Sequence, residues 1–374
     1  MINHFIIYRN NYPNMSIDYI RVKVSNPIHK FECPLDAKAI FLELPLLSVK
    51  YNSKISFYDL TSIPRCVEHI NFGNSFNQSI GENELPTGLQ SIYFGYGFNQ
   101  PIEKDVLPEE LQSIEFGRDF NQLIEKYVLP NGLHSIKFGM KFNQPIGKGV
   151  LPDGLQLIKF GIKFNKPIGK GVLPLGLQSI DFGAHFNQPI EKNVLPSGLQ
   201  SIHFGAHFNQ PIGINVLPAE LRSIRFGVMS TELRSITIRD GFNQPIDEGV
   251  LPSGLQSIDF GHMFNQPIGI NVLPAGLQSI IFGTCFNQPI EKYVLPDGLQ
   301  TIQFGHNFNQ LINNIPEKTK VYLLNIPPLY LESQLSIQTS ASLNLYKSIH
   351  CYINLLTLFY RMILANILFL FIFS

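Results

Sequence analysis

The sequence predicts a β-rich solenoid in which each 22-residue repeat contributes one short parallel strand, with a hydrophobic helix added at the C-terminus. Phe-Asn pairs recur from Phe76 to Phe308 at intervals of 22 residues, with one longer interval of 34. In the segment LQSIHF (199–204), Ile and Phe alternate with Ser and His, which is typical of a strand with one buried face. A tandem repeat of this kind indicates a stack of similar turns.

The other recurring residues of the repeat indicate how the chain returns to the next strand. Leu-Pro-Ser-Gly (195–198) predicts a turn with proline second and glycine fourth. Gly205 lets the chain leave the strand, through a positive φ or a close backbone approach. Pro211 has no amide hydrogen, so the return path is extended and is not a central strand. One repeat buries too little apolar surface to be stable alone, so stacking is required.

We expect the Phe and Asn of the FNQ motif to form a structural ladder from one repeat to the next. The rings would form one column, and the Asn amides would satisfy backbone groups in the tight return path. The residues assigned to this ladder are Phe98, Asn99, Phe142, Asn143, Phe186, Asn187, Phe208, Asn209, Phe264 and Asn265.

The repeated motif LPxGLxSIxFGxxFNQPI, over roughly residues 45–326, resembles the FNIP repeat family, a relative of the leucine-rich repeats. This resemblance implies a leucine-rich-repeat-like solenoid. Members of that family often carry an N-terminal F-box, a short helical segment that recruits ubiquitin-ligase machinery. Residues 1–44 show no Leu-Pro-initiated helical pattern of that kind, so the ligase role is an alternative here rather than the first expectation.

The repeat boundaries divide the chain into four segments and predict fourteen strands. Degraded copies of the strand motif occur at 46–51 and 321–326, and the N-terminal segment has strand patterns near 17–24 and 39–44. The segments are an N-terminal cap (1–44), the solenoid (45–326), a C-terminal cap or linker (327–350) and a hydrophobic tail (351–374).

The interval of 34 residues predicts an irregularity in the array. In the segment LRSIRFGVMSTELRSI (221–236), two strand motifs lie close together. This spacing indicates a shortened repeat near 221–241 that lacks its own FNQPI motif. We expect a kink or a loosened seam near Val228–Glu232 that divides the array into unequal blocks. Two interpretations of the irregular spacing stay open: a functional hinge, or a past deletion within the array.

The position between the fixed Ile and Phe varies from repeat to repeat and points outward. Nearby positions after the glycine vary too, as at Tyr96 and Met140. A fixed scaffold with one free face is how solenoids form binding surfaces, although unconstrained solvated positions would also vary. The expected partner-binding residues are Tyr93, Glu115, Lys137, Lys159, Asp181, His203, Arg225, Asp259 and Ile281.

These patterns favour a non-enzymatic, cytoplasmic protein-interaction scaffold that binds an unidentified protein. The alternatives are a substrate-recognition adaptor of a ubiquitin ligase, or an expanded repeat protein with no specific partner. The 28 basic and 28 acidic residues balance, so the composition does not indicate nucleic acid as a partner, and the mixed charges of the variable position exclude a basic stripe. No catalytic motif or cofactor motif is present, and the four cysteines have no disulfide or metal-ligand spacing. His185, His203 and His207 would form only an open, shallow cluster, so no metal is expected.

Residues 352–374 are mostly apolar but contain Arg361, Asn354 and Asn366, and they are long enough to span a bilayer. The insertion free energies of the apolar residues and of the charged and polar ones nearly cancel. Three interpretations stay open: a C-terminal membrane anchor, a helix that caps the solenoid, and an extension not maintained by selection. We expect helix over most of residues 342–373.

Overall fold

A single sheet, parallel except at its first strand, organises the part of the chain that the computed structural model describes. This part comprises residues 60–63, 65, 67–227 and 241–323 and the strands at 7–9, 19–23 and 39–43. These residues belong to one compact unit, 1–324. The sheet contains fifteen strands in chain order. They are β1 (Ile7–Arg9), β2 (Tyr19–Lys23), β3 (Ala39–Glu43), β4 (His69–Phe72), β5 (Ser91–Tyr93), β6 (Ser113–Glu115), β7 (Ser135–Lys137), β8 (Leu157–Lys159), β9 (Ser179–Asp181), β10 (Ser201–Phe204), β11 (Ser223–Phe226), β12 (Ser257–Asp259), β13 (Ser279–Ile281), β14 (Thr301–Phe304) and β15 (Lys320–Leu323).

The strands pair in register, so that each residue position of the repeat lies beside the same position in the next turn. Strand β1 is antiparallel to β2, and every other neighbouring pair is parallel. Ser201 pairs with Ser223 and Ile202 with Ile224, for example. This register follows from the sequence because a one-residue slip would turn every Ile and Phe toward solvent. The parallel β-solenoid of 22-residue turns is therefore confirmed.

The interior is a set of apolar columns that run the length of the array. Leu199, Ile202 and Phe204 are 0%, 1% and 1% exposed, and the equivalent residues of the other turns are buried in the same way. Each turn places two Phe rings together, as in Phe204 and Phe208, whose centroids are 4.2 Å apart. The rings also stack between turns, with Phe186 and Phe208 6.1 Å apart. No polar or charged side chain is buried within the described residues.

The Asn residues of the FNQ motif form hydrogen bonds from turn to turn. The Oδ1 atom of Asn121 accepts the backbone N–H of Asn143 at 2.8 Å, and the same contact recurs along the array. The Gln144 side chain donates to the carbonyl oxygen of Asn121 at 2.9 Å. These bonds give partners to backbone groups of the return path, which no strand partner could satisfy.

Close contact between turns explains the glycine that follows each strand. A Cβ atom on Gly205 would lie 1.6 Å from the carbonyl oxygen of Gly183, which is far inside van der Waals contact. Of the two explanations that the sequence offered for Gly205, close backbone approach is therefore sufficient. Only glycine lets the turns approach to their observed separation here.

The turn before each strand is placed one residue later than the sequence predicted. The N–H of Leu199 donates to the carbonyl oxygen of Pro196 at 3.2 Å, so the turn spans Pro196 to Leu199. Proline is its first residue and glycine its third. Leu221 and Pro218 make the same bond with Glu220 at the glycine position, so this turn does not require glycine.

The 34-residue interval is one complete turn that carries twelve additional residues, and the prediction of a shortened repeat near 221–241 is wrong. Strand β11 pairs directly and in register with β12, with no strand between them. The Phe226 ring stacks on Phe242 at 4.0 Å, which is the usual contact within one turn. Asn243 continues the ladder by donating its N–H to Asn209 Oδ1 at 2.9 Å. The sheet is therefore not divided into two blocks at this point.

Several sequence predictions fall on residues outside the described part of the chain. The seam at 228–232, the strand copy at 46–51, the linker 327–350 and the tail helix lie there, so they stay predictions. The strands expected near 17–24 and 39–44 are β2 and β3, and the copy at 321–326 contributes β15. Among the described residues, we find no helix with the length and apolar character needed to cross a bilayer.

Candidate binding face

The nine predicted binding residues form one continuous row, which we call the outward column. Each lies on a strand from β5 to β13 and sits beside the corresponding residue of the neighbouring strands. Their side chains are partly exposed, whereas the Ile and Phe on either side of each are buried. The column comprises Tyr93, Glu115, Lys137, Lys159, Asp181, His203, Arg225, Asp259 and Ile281.

Charges along the outward column are arranged as ion pairs between neighbouring turns. The pairs are Glu115 with Lys137 (2.6 Å), Lys159 with Asp181 (3.5 Å), His203 with Asp181 (3.2 Å) and Arg225 with Asp259 (3.5 Å). Lys137 and Lys159 lie directly opposite each other in register, although like charges in that position repel. Two adjacent ammonium groups thus stand at the centre of the array between two carboxylates.

His203 is held by hydrogen-bond acceptors on both ring nitrogens. Its Nδ1 atom faces the Asp181 carboxylate, and its Nε2 atom faces the carbonyl oxygen of Gly227. Since neither the ionised carboxylate nor the carbonyl oxygen has a proton to donate, this arrangement favours the imidazolium form of the ring. Burial alone would lower the pKa of His203, but the hydrogen bond and charge of Asp181 outweigh it and raise that pKa. The pKa of Asp181 is lowered, because His203 outweighs the burial of the carboxyl.

Two other groups of the outward column also have shifted pKa values. Burial raises the pKa of Asp259, and this effect outweighs the hydrogen bond from the Gly261 N–H and the charge of Arg225. Burial, and then the charge of Glu115, raises the pKa of Tyr93 above its ordinary value. The column therefore has a neutral phenol at one end and charges that are partly withdrawn from water further along.

A long groove runs beside the outward column, and we call it the glycine groove. One wall is the column from Tyr93 to His203, and the groove has a volume of 660 Å³. Its floor consists of the glycines that follow the strands, at 117, 139, 161, 183 and 205. Its second wall changes in character along its length: Tyr96, Arg118, Met140, Ile162 and Ala184.

A second groove of 420 Å³ lies along the other side of the column and has a different lining. Serines at 179, 201, 223, 257 and 279 line it together with Leu157. The two grooves share Lys159, Asp181 and His203, so this part of the column separates them. The sequence indicated that Tyr96 and Met140 vary, but not that these residues and Ile162 form a wall. Only the register of the turns brings them into one row.

The structural-ladder residues lie apart from this face. Phe98, Phe142, Phe186, Phe208 and Phe264 are buried in the ring columns. The partner asparagines, Asn99, Asn143, Asn187, Asn209 and Asn265, hydrogen-bond to neighbouring turns in the return path. They position the binding face by fixing the separation and register of the turns.

Two histidines outside the column, His185 and His207, contact each other. The rings of His185 and His207 are 4.9 Å apart and nearly perpendicular. Burial lowers the pKa of His185, and the nearby His207 and Lys163 add to the effect. Within the described ranges, His, Cys, Asp and Glu form no group of three or more that could hold a metal ion. His203 is engaged by Asp181 instead of joining this pair.

The fold and this face define a leucine-rich-repeat-like solenoid, a class typical of protein-interaction scaffolds. The FNIP Repeat family matches residues 59–97, 98–141, 142–185, 186–228, 242–285 and 286–321. Because these matches cover more than half of the chain, the protein belongs to the FNIP repeat family. The matched segments leave out residues 229–241, where the additional residues of the long interval occur.

Solved structures with the same architecture include one at substantial sequence identity. CroV588, described as a novel circular leucine-rich-repeat protein, is 35% identical with a TM-score of 0.66, over 81% of this chain and 49% of CroV588. The chain thus spans about half of that protein. The Drosophila Toll–Spätzle complex matches with a TM-score of 0.52 at 11% identity, over 82% of this chain and 44% of that one, which shows the fold alone. No curated protein gives a significant match.

Proposed function

We propose that the protein is a non-enzymatic, cytoplasmic scaffold that binds a partner protein on the outward column and the glycine groove. The observation that carries this proposal is the contrast between the two kinds of position in the repeat. The buried and hydrogen-bonded residues of the repeat recur almost unchanged. The residues of the face vary instead, and they include exposed apolar and aromatic side chains that a surface would not need for solubility alone. Met140 is 42% exposed and Tyr96 is 52% exposed, and both line the groove.

The groove has features of a protein-binding surface. It combines aromatic, apolar and charged walls above a floor without side chains, and aromatic and Met residues are enriched at the centres of interfaces. The turns fix the backbone of both walls, so little backbone conformational entropy is lost when a partner binds. The ubiquitin-ligase alternative depends on a helical F-box, and the described residues of segment 1–44 are the strands β1–β3.

Substitution of the face, compared with an equal substitution elsewhere, tests this proposal. The face variant replaces Tyr93, Lys137, Lys159 and Arg225 with serine in the full-length protein. The matched control replaces Tyr127, Lys148, Lys170 and Lys192, which are exposed residues outside the face. We expect proteins that co-purify with the wild type to be lost from the face variant and kept by the control. Equal recovery with both variants would contradict a binding role for the face.

A further inference from the structure

The centre of the glycine groove joins a cationic wall to an apolar wall. Lys137 and Lys159 lie on the outward column, and Met140 and Ile162 lie across the glycines at 139 and 161. Each lysine has a carboxylate on its far side, Glu115 or Asp181, and the second of these is shared with His203. An acidic side chain placed between the two lysines would therefore have a cation on each side and would relieve the repulsion between them.

The floor of the groove suits the main chain of an extended segment. No side chain rises from this floor, because backbone of the neighbouring turn fills the place of each missing Cβ atom, as at Gly139 and Gly161, so a flat strip of main chain faces the groove. A helix with its side chains is ~10–12 Å wide and would have to sit above the walls. An extended segment instead points successive side chains to opposite sides, which matches two walls of different chemistry.

The spacing of the turns fixes which side chains of such a segment would meet which wall. Neighbouring turns are ~4.8 Å apart, so Met140 and Ile162 each lie ~2.4 Å from the midpoint between their turns, measured along the array. In an extended segment, the residues before and after a central residue lie ~3.4 Å to either side of it. A central acidic residue between the two lysines thus brings its two neighbours to Met140 and Ile162.

We propose that the glycine groove binds an extended segment of a partner protein with the pattern apolar–acidic–apolar. The acidic side chain lies between Lys137 and Lys159, and the two apolar side chains contact Met140 and Ile162. This inference rests on the proposed function, because it names the chemistry of the partner at the same face. The six turns from Tyr93 to His203 span ~24 Å, which accommodates about seven extended residues.

Three short peptides test the pattern directly. Fluorescein-labelled Gly-Ser-Leu-Glu-Leu-Ser-Gly carries the proposed sequence, and two controls replace Glu with Lys or both Leu residues with Ser. Fluorescence polarisation with the full-length protein measures their Kd values. We expect the first peptide to bind at least about tenfold more tightly than either control, because one control loses a charge-assisted hydrogen bond and the other loses the burial of two leucine side chains. Equal affinity for all three peptides would overturn the proposal.

Two protein variants and a matched control assign the binding to the groove. Replacing Lys137 and Lys159 with Glu should reverse the preference, so that the Lys peptide binds more tightly than the Glu peptide. Met140→Ser with Ile162→Ser should remove the advantage of Leu over Ser. Lys148→Glu, outside the groove, should change neither. A reversal of preference cannot come from misfolding, so the charge-swap variant keeps the test decisive.

The outcomes also separate this inference from the proposed function. If partner proteins still depend on the face but the three peptides bind equally, the scaffold function stands and the apolar–acidic–apolar pattern is wrong. If the face variant retains its partners and the peptides bind equally, both are wrong.

Discussion

Replacing Gly161 with alanine should separate two neighbouring turns of the solenoid. A Cβ atom at this position would lie 1.7 Å from the carbonyl oxygen of Gly139, and real Cβ atoms essentially never approach other heavy atoms closer than 3.0 Å. The turns would therefore have to move apart by more than ~1 Å, since the obstructing atom is backbone and cannot rotate away.

The cost of that movement follows from the two hydrogen bonds that bracket Gly161. The N–H of Phe138 donates to the carbonyl oxygen of Lys159 at 2.8 Å, and the N–H of Lys163 donates to that of Met140 at 2.9 Å. A shift of more than ~1 Å takes both beyond hydrogen-bonding distance. At ~1–3 kcal/mol for each group left unsatisfied, the variant should lose ~2–6 kcal/mol of local stability.

Hydrogen exchange of the backbone amides measures this loss where it occurs, which matters because long repeat arrays need not unfold as one unit. The amides of Phe138 and Lys163 should exchange at least ~30-fold faster in Gly161→Ala, the factor that corresponds to ~2 kcal/mol. Gly169→Ala is the matched control, because its new Cβ would meet only a Val172 methyl group at 3.9 Å. Equal protection of these amides in the two variants would refute the close-approach argument.

Three further changes test other parts of the structure. Asn143→Leu should speed exchange of the Asn165 amide, which loses its Oδ1 acceptor at 2.9 Å, whereas Asn143→Asp keeps an acceptor and should preserve most of the protection. The raised pKa of His203 stabilises the folded protein fully below the ordinary histidine pKa near ~6.5, and this stabilisation is lost as the pH rises through the raised pKa. Urea titrations should therefore show a free energy of unfolding that declines across that pH range. His203→Gln should remove this pH dependence. Deleting residues 229–240 should leave the unfolding midpoint unchanged, because the deletion restores the 22-residue spacing. The joined sequence would read FGVGFNQ, which closely resembles FGYGFNQ at 94–100. An unfolded product would show that the deleted residues support the turn.

Period and alternation were enough to predict which side chains are buried and which form the outward column. Ile202 and Phe204 are buried and His203 is partly exposed, because a strand leaves no other choice once one face packs inward. The in-register stacking of like residues also follows from the repeat. These predictions depend only on local spacing, which the sequence states directly.

Other features depend on how the turns meet, and local spacing does not contain that information. Two strand motifs near residues 223 and 235 look equivalent in the sequence, and the spacing does not show that β11 pairs directly with β12 or that Phe226 completes its turn with Phe242. The Asp181–His203 contact and the wall formed by Met140 and Ile162 likewise require three-dimensional register.

Site-specific photo-crosslinking tests most directly whether the variable face is the binding surface. A benzophenone amino acid would replace Tyr93 or Met140 on the face, and Tyr127 or Tyr293 as controls, which are 71% and 72% exposed. We expect the same partner protein to crosslink from both face positions and from neither control, and we expect Lys137→Glu with Lys159→Glu to abolish this crosslinking. Crosslinking of one partner mainly from Tyr127 and Tyr293, with none from the face, would contradict the account.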